Sequence, residues 1–243
     1  MERQHVIIVG AGASGLYAAS EIAKKCAVTI IEANDYAGGR MHTLKDQKGQ
    51  VIEAGAEFVH GDTPVTSKVL KQAGLKTVVL DGKMLRKEGE KWEEEEDMIE
   101  GWDELVEKMK GQESDITMQQ FMDEHFAGEK YTELRSHIKA FVGGFDVADT
   151  NEISVKSLYE EWSNEGEQRR VEGGYVKLVD YLTGKCKAAG CVIITGEKVK
   201  HVTWEKDSVT VETATGRSFS ANKIVVSIAV GALRGNTIRF TPT

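Results

Sequence analysis

The sequence predicts an α/β protein in which a parallel sheet is interrupted by a mostly helical region. Three observations support this prediction: a strand, a glycine-rich turn and a helix at the start, apolar residues at helical spacing in the middle, and strands again near the end. Short β-branched runs beside a helical pattern indicate a parallel sheet. The predicted parts are residues 1–80, 81–189 and 190–243, the first and third forming one domain.

The first part contains alternating strand and helix patterns. In chain order, the predicted elements are a buried strand at His5–Val9, a helix at Ser14–Lys24, a strand at Val28–Glu32, an extended segment at Val51–Phe58 and a helix at Val65–Ala73. Gly74 follows the last helix, and glycine commonly ends helices because it accepts the left-handed conformation there. This alternation predicts parallel strands with helices between them.

The second part begins with a strongly acidic stretch. Between Glu88 and Glu107 there are eleven acidic residues and one basic residue. We interpret this stretch as the solvated face of a hairpin and helix, and the alternative is a surface that attracts cationic substrates or partners. The pattern from Met98 to Ala189 is mainly helical, and its apolar residues, such as Phe121 and Phe141, are predicted to form core rather than a site.

The third part returns to strands. The predicted elements are a strand at Cys191–Thr195, a hairpin formed by Val199–Trp204 and Ser208–Thr213, and a buried strand at Lys223–Val230. This order favours a helical insertion between two parts of one nucleotide-binding domain.

Composition excludes several classes of function. Thirty-one basic and thirty-nine acidic residues give a net charge of −8, which argues against nucleic-acid binding and against a polybasic membrane patch. The three cysteines lack CxxC spacing, so neither a disulfide framework nor a zinc site is predicted. A reducing compartment, the cytoplasm, fits best. The apolar start after Arg3 resembles a signal peptide, but its glycine positions favour a nucleotide-binding turn.

The glycine-rich turn has the spacing GxGxxG between a predicted strand and a predicted helix. Gly10 permits the tight turn, Gly12 lets the backbone approach a pyrophosphate, and Gly15 lets the helix pack closely on the strand. Ala13 and Ser14 lie at the helix amino terminus, which faces negative charge. The turn therefore predicts a Rossmann-like dinucleotide-binding domain.

Glu32 ends the next predicted strand, where an acidic residue accepts hydrogen bonds from the adenosine ribose hydroxyls. An acid at this position disfavours a 2′-phosphate and therefore disfavours NADP. Ala33 belongs to the same predicted site. The choice between NAD and FAD depends on the residues that follow.

Those residues end in Gly38, Gly39 and Arg40, and the segment from Glu32 resembles the pattern E-x(5)-GGR of FAD enzymes of the amine oxidase and phytoene desaturase type. The glycines let the main chain bend beside the diphosphate. Arg40 supplies a planar positive fork suited to phosphate and to the flavin edge. This resemblance favours FAD as the cofactor.

Further segments extend the resemblance to nearly the whole chain. Gly55, Ala56, Glu57 and Phe58 begin a segment similar to the amine oxidase pattern G-[AG]-x-[WF]-x-x-G, which implies a backbone that passes along the flavin ring. Val199 lies where members of that family hold the adenine with a valine backbone. The chain thus resembles the flavin-containing amine oxidases, which include monoamine, polyamine and L-amino-acid oxidases.

The resemblance implies a Rossmann-like FAD-binding domain interrupted by a mostly helical portion of a substrate domain. It also implies oxidation of a small-molecule amine to an imine, with the flavin as hydride acceptor and dioxygen as reoxidant. The sequence departs from the family at Ile228, where a proline is common, and at His60, where some polyamine oxidases have an acid. The histidine argues against a polyamine substrate.

The resemblance also places this chain in the amino-terminal portion of the family, so no catalytic residue is assigned. We expect these 243 residues to bind FAD without turning over amines, and to form a homo-oligomer or to lack a carboxyl-terminal part. Two alternatives stay open: a flavin-dependent desaturase or protoporphyrinogen-oxidase-like enzyme, and a non-catalytic FAD-binding fragment that needs a partner.

Overall fold

A computed structural model describes residues 3–61, 63–80, 85–88, 90–94, 99–163 and 167–242. Its helices are α1 Ala13–Ile22, α2 Pro64–Gln72, α3 Trp102–Lys110, α4 Met118–His125, α5 Thr132–Gly144, α6 Val155–Trp162, α7 Val176–Ala188 and α8 Val230–Arg234, with a 3-10 turn at Glu129–Tyr131 before α5. Its strands are β1 His5–Val9, β2 Ala27–Ile31, β3 Thr43–Lys45, β4 Val51–Glu53, β5 Phe58–Val59, β6 Thr77–Val79, β7 Leu85–Glu88, β8 Lys91–Glu94, β9 Arg169–Val171, β10 Val192–Ile194, β11 Val199–Glu205, β12 Ser208–Thr213, β13 Ser218–Ala221, β14 Lys223–Val226 and β15 Arg239–Thr241.

The chain forms two compact units. A sheet unit contains residues 1–59, 63–78 and 169–243, and a helical unit contains residues 60–62 and 79–168. The sequence placed the second boundary at Ala189, whereas the structure places β9 and α7 in the sheet unit. The physical reason is long-range contact, because β9 pairs with β5 and α7 packs against α1.

The sheet unit is built on a parallel sheet with the strand order β10-β2-β1-β14. Strands covered on both faces are apolar throughout, and β1 is buried from Val6 to Val9. Val6 and Ile8 face the core that contains α1 and α7, while Ile7 and Val9 face the core that contains β11 and β12. The alternation of side chains along one strand therefore fixes two layers at once.

The expected β1, α1, β2 and α2 of the first part are confirmed, with the bounds of α1, β2 and α2 shifted by one or two residues. The segment expected to be extended from Val51 to Phe58 is a strand only at its two ends, in β4 and β5. Gly74 has a φ of +67°, as the predicted helix end requires. The predicted hairpin is β11 with β12, and these strands form a second sheet with the order β13-β12-β11-β15. The strand expected to reach Val230 ends at Val226, and α8 begins at Val230.

The helical unit has its own apolar core. Predicted core residues on α4 and α5 are fully or almost fully buried, including Phe121, Leu134 and Ile138, whereas Phe141 is only partly buried. Thr117 and Gln120 form a capping box that fixes the start of α4. Among the described residues, no helix is both long enough and apolar enough to span a membrane.

The predicted exposure of the acidic stretch is confirmed where the structure describes its side chains. The exposed acids are Glu90, Glu100, Asp103, Glu104 and Glu107. The remaining acidic side chains between Glu88 and Asp97 lie outside the described side chains. The first turn of α3 contains two of the exposed acids, a favourable position because the amino terminus of a helix attracts negative charge.

Asp146 follows α5 in the helical unit. The pKa of its carboxyl is raised to about 6, chiefly by burial and also by the nearby charge of Glu161, with a partial offset from the indole of Trp162. Because the folded-state pKa exceeds the unfolded value of about 3.9, the charged form is disfavoured in the folded state. The stability of this region therefore rises as the pH falls from above 6 towards 4.

We expect Phe121→Ala to lower the free energy of unfolding by about 3–5 kcal/mol, because it leaves a cavity in the core of the helical unit. Phe145→Ala is the matched control, since Phe145 is 41% exposed and its loss should cost clearly less. Urea denaturation monitored by circular dichroism measures both. Equal losses would contradict the assignment of Phe121 to the core.

We expect Asp146→Asn to stabilise the protein at pH 8, where the native carboxylate is charged, and to have little effect below about pH 4. Asp149→Asn is a control of opposite sign, because hydrogen bonds from Asn151 lower the pKa of the Asp149 carboxyl. Thermal unfolding of both variants across this pH range measures the effect. A destabilised Asp146→Asn protein at pH 8 would show that this carboxylate is favourably paired.

Candidate dinucleotide-binding site

The turn between β1 and α1 depends on close backbone packing. Gly10 has a φ of +103°, and its N–H donates to the carbonyl of Ile31 at 2.8 Å. A Cβ on Gly15 would lie 2.0 Å from the carbonyl oxygen of Gly10, so only glycine fits. A Cβ on Gly12 would meet nothing within 4 Å. The turn is therefore tight on its inner side and open beside Gly12.

The open side adjoins the amino terminus of α1. The first intrahelical hydrogen bond runs from the N–H of Leu16 to the carbonyl of Gly12 at 2.9 Å, and Ala13 and Ser14 are exposed. The first turn of α1, all of it within the described residues, contains no acidic side chain and no side-chain cap. Uncapped N–H groups and the helix dipole favour an anion here. A diphosphate fits this space and charge.

Glu32 is buried at the end of β2, with 6% of its surface exposed. One carboxylate oxygen accepts the N–H of Ala11 at 2.7 Å, and the other accepts the N–H of Asn34 at 2.9 Å. Each oxygen can accept another hydrogen bond, so the carboxylate keeps capacity for ligand hydroxyls. The neighbouring Ala33 is exposed.

A cavity of about 110 Å³ lies beside Glu32. It is lined by Val9, Gly10, Ile31, Glu32, Ala33, Glu197, Lys198, Val199, Ile228, Ala232, Thr237 and Ile238. Arg217 and Thr215 donate to the Glu197 carboxylate at 3.0 and 2.6 Å. Thr213 and Thr215, followed by Arg217, hold the pKa of that carboxyl below its usual value. The charge of Glu197 is thus compensated, and Glu32 is the acid left to receive a polar ligand.

The second glycine pair packs directly on the first turn. Gly38 donates its N–H to the carbonyl of Ala11 at 2.8 Å, and Gly12 and Gly38 form an isolated parallel bridge. A Cβ on Gly39 would lie 3.4 Å from the Cα of Gly12. Arg40 is exposed. The two glycine motifs therefore border the same space.

The segment after β4 packs on the backbone of Arg40. The N–H of Ala56 donates to the Arg40 carbonyl at 2.7 Å, and a Cβ on Gly55 would lie 2.1 Å from that oxygen. Gly55 is therefore required by a contact with the second glycine motif, which sequence spacing alone does not reveal.

The next two predicted residues contact β9. Glu57 forms an ion pair with Arg170, and Phe58 pairs with Arg170 in the β5–β9 ladder. The Arg170 guanidinium also lies 5.7 Å from the centre of the Phe58 ring. The Glu57 side chain is thus paired within the protein. The backbone of this segment is therefore the group that can face a ligand.

Ser227 is a residue whose place in the site could not be inferred from the sequence. Its hydroxyl donates to the carbonyls of Val9 and Gly10 at 3.0 and 3.1 Å. It holds the turn from β14, which lies parallel to β1. Serine at the end of a strand is an ordinary pattern, and only the pairing of the strands places it against the turn.

The chain is similar to several known proteins. A family model described as flavin containing amine oxidoreductase matches residues 13–243. Polyamine oxidase 4 of Oryza sativa subsp. japonica is 28% identical over 98% of this chain and 53% of its own length. Lysine-specific histone demethylase 2 of Homo sapiens is 26% identical over 98% of this chain and 31% of its own length. The chain thus spans about half of the first relative and a third of the second.

The fold also matches solved structures. A wild-type putrescine oxidase bound to putrescine aligns with a TM-score of 0.75 at 19% identity, covering 99% of this chain and 61% of that protein. An oxidoreductase from Methanosarcina mazei aligns with a TM-score of 0.66 at 19% identity over 94% of this chain and 60% of its own. These likenesses confirm the predicted α/β fold class.

We expect Gly15→Ala to destabilise the protein by about 1–3 kcal/mol or more, because the new methyl group collides with the Gly10 carbonyl. Gly12→Ala should leave stability nearly unchanged and should weaken FAD binding, since its methyl group enters the open space. Thermal unfolding and FAD titration measure the two effects. A stable Gly15→Ala variant, or a Gly12→Ala variant with unchanged FAD affinity, would contradict this site.

Proposed function

Because the chain belongs to the flavin containing amine oxidoreductase family, we propose that it is the FAD-binding portion of an enzyme that oxidises an amine to an imine. Membership of a flavin-containing family implies FAD as the cofactor. One observation carries the proposal. The turn at Gly12 contacts the glycine pair at Gly38, and the backbone of Arg40, next to that pair, contacts the segment at Gly55. A continuous border of this kind suits an extended dinucleotide.

In this proposal each group binds one part of FAD. The N–H groups from Gly12 to Gly15 bind the diphosphate, Glu32 accepts the ribose hydroxyls, and the backbone of Val199 contacts the adenine. The guanidinium of Arg40 offsets negative charge at the diphosphate and at the flavin edge. The backbone from Gly55 to Phe58 lies along the flavin ring.

When bound, FAD supplies the acceptor of the hydride equivalent taken from the amine, and dioxygen is the proposed reoxidant. The residues of this chain bind and orient the cofactor, and no described residue is assigned to proton transfer. The protein's contribution in this portion is therefore the position of the flavin relative to the substrate.

The proposed substrate is a small-molecule amine, because relatives and fold neighbours have the names polyamine oxidase and putrescine oxidase. His60 lies in the helical unit with its ring edge-on to Phe145 at 5.7 Å, and it is not an acid that would attract a cationic chain. Monoamines, amino acids and polyamines are therefore all substrates to test.

The free thiols of Cys26, Cys186 and Cys191 support a reducing, cytoplasmic setting.

We expect Glu32→Ala to weaken FAD binding by about 1–3 kcal/mol, because a charged hydrogen-bond partner of the ribose is lost. The affinity for ADP should fall by the same amount, and the affinity for FMN should not change, because FMN lacks the adenosine. Glu21→Ala is the matched control, because Glu21 is a partly exposed acid on α1 that pairs with Lys24. Calorimetry with FAD, ADP, FMN, NAD and NADP measures the affinities, and tighter binding of NAD than of FAD would contradict the proposal.

The reaction is tested by a peroxide-coupled assay of the FAD-loaded product of the complete coding sequence. Monoamines, polyamines and amino acids form the substrate panel, with a carotenoid precursor and protoporphyrinogen as controls for the alternative enzyme class. We expect turnover with at least one amine. Turnover of the control substrates without turnover of any amine would favour the desaturase-like alternative.

A further inference from the structure

The segment from Glu53 to Phe58 connects the end of β4 to the start of β5, and its middle residues belong to no helix or strand. One side packs on Arg40 through the backbone contacts of Gly55 and Ala56. An irregular segment has few hydrogen bonds of its own, so contacts at its ends determine how firmly it is held. Arg170 and Thr43 each contact one end of the segment.

Tyr175 contacts both ends of the segment. Its backbone N–H donates to a carboxylate oxygen of Glu53 at 2.6 Å, and its hydroxyl donates to the carbonyl of Phe58 at 2.9 Å. Tyr175 is 6% exposed and immediately precedes α7. A buried aromatic ring has few rotatable bonds, so it fixes the distance between these two contacts at a small entropic cost.

The position of Glu53 is fixed independently of the Tyr175 ring. Its second carboxylate oxygen accepts the hydroxyl of Thr43 at 2.8 Å, and the Thr43 oxygen accepts the N–H of Val176 at 2.9 Å. The carboxylate therefore lies at the amino terminus of α7, where the helix dipole favours negative charge. Gly174 has a φ of +89°, and a Cβ there would lie 2.8 Å from Glu53.

The Tyr175 hydroxyl is suited to a constant donor role. Burial raises the pKa of the phenol, and the negative charge of Glu53 raises it further. The hydroxyl therefore keeps its proton across the pH range in which proteins are stable. The carbonyl of Phe58 receives a hydrogen bond that does not change with pH.

We propose that Tyr175 is a positioning residue for the flavin half of FAD, acting through the segment Glu53–Phe58. This inference rests on the proposed function, in which the backbone from Gly55 to Phe58 lies along the flavin ring. Among the described residues, Glu32 and Gly12, which are proposed to bind the adenosine and the diphosphate, form no hydrogen bond with Tyr175. Loss of the hydroxyl should therefore affect one half of the cofactor and spare the other.

The test is Tyr175→Phe, which removes the hydroxyl and keeps both the ring and the backbone N–H. We expect the Kd for FAD to rise about 3- to 10-fold, the range for one lost neutral hydrogen bond, with the Kd for ADP unchanged. The absorbance spectrum of bound FAD should also shift, because the ring environment loosens. Tyr181→Phe, in the helix that follows Tyr175, is the control, and it should change neither Kd.

A merely structural role predicts a different outcome. Equal losses of FAD and ADP affinity in Tyr175→Phe, or an unchanged FAD affinity, would overturn the proposal. Glu53→Gln provides a second variant that weakens the other contact, and it should show the same selective loss of FAD. The unmodified chain is the control for the proposed function. If it binds ADP but not FAD, the proposed function is wrong and the role of Tyr175 is wrong with it. If it binds both, the change in Kd of each variant tests the role of Tyr175 separately.

Discussion

The close approach of α1 to the end of β1 is the constraint on which the rest of the site depends. Gly15 must lack a side chain because the Gly10 carbonyl occupies the space where its Cβ would lie. This approach turns the free N–H groups of α1 towards the open side of the turn. Ser227 holds the same turn from the end of β14, so the geometry of the turn is supported by the parallel sheet as well as by the local sequence.

Two buried acids line one cavity of the sheet unit, but their electrostatic environments differ. Glu197 is neutralised by Arg217 and hydroxyl donors, and it ties the turn before β13 to the end of β10. Among the described residues, Glu32 accepts only backbone N–H groups, so its carboxylate keeps lone pairs that can accept further hydrogen bonds. The same residue type therefore serves structure at one position and is proposed to serve recognition at the other, and the difference lies in the partners.

Local patterns in the sequence were sufficient for the strand, turn and helix at Gly10–Gly15, because each feature is set by residues close in the chain. The sequence failed to place β9 and α7, since a helical pattern at Val176–Ala188 does not say which core the helix joins. Gly55, Ser227 and Tyr175 gain their roles from contacts with residues far away in the chain, such as Arg40 and Phe58. The sequence alone cannot show such contacts, because they depend on how the strands pair.

The central claim is that three separate segments of the sheet unit border one FAD molecule. Amide hydrogen exchange with and without FAD tests this claim most directly, because it reports each backbone N–H in place. The account predicts slower exchange at Gly12–Leu16, at Ala33–Arg40 and at Gly55–Phe58, with no comparable change in the core of the helical unit around Phe121. FAD binding without protection of these segments, or protection confined to the helical unit, would contradict it.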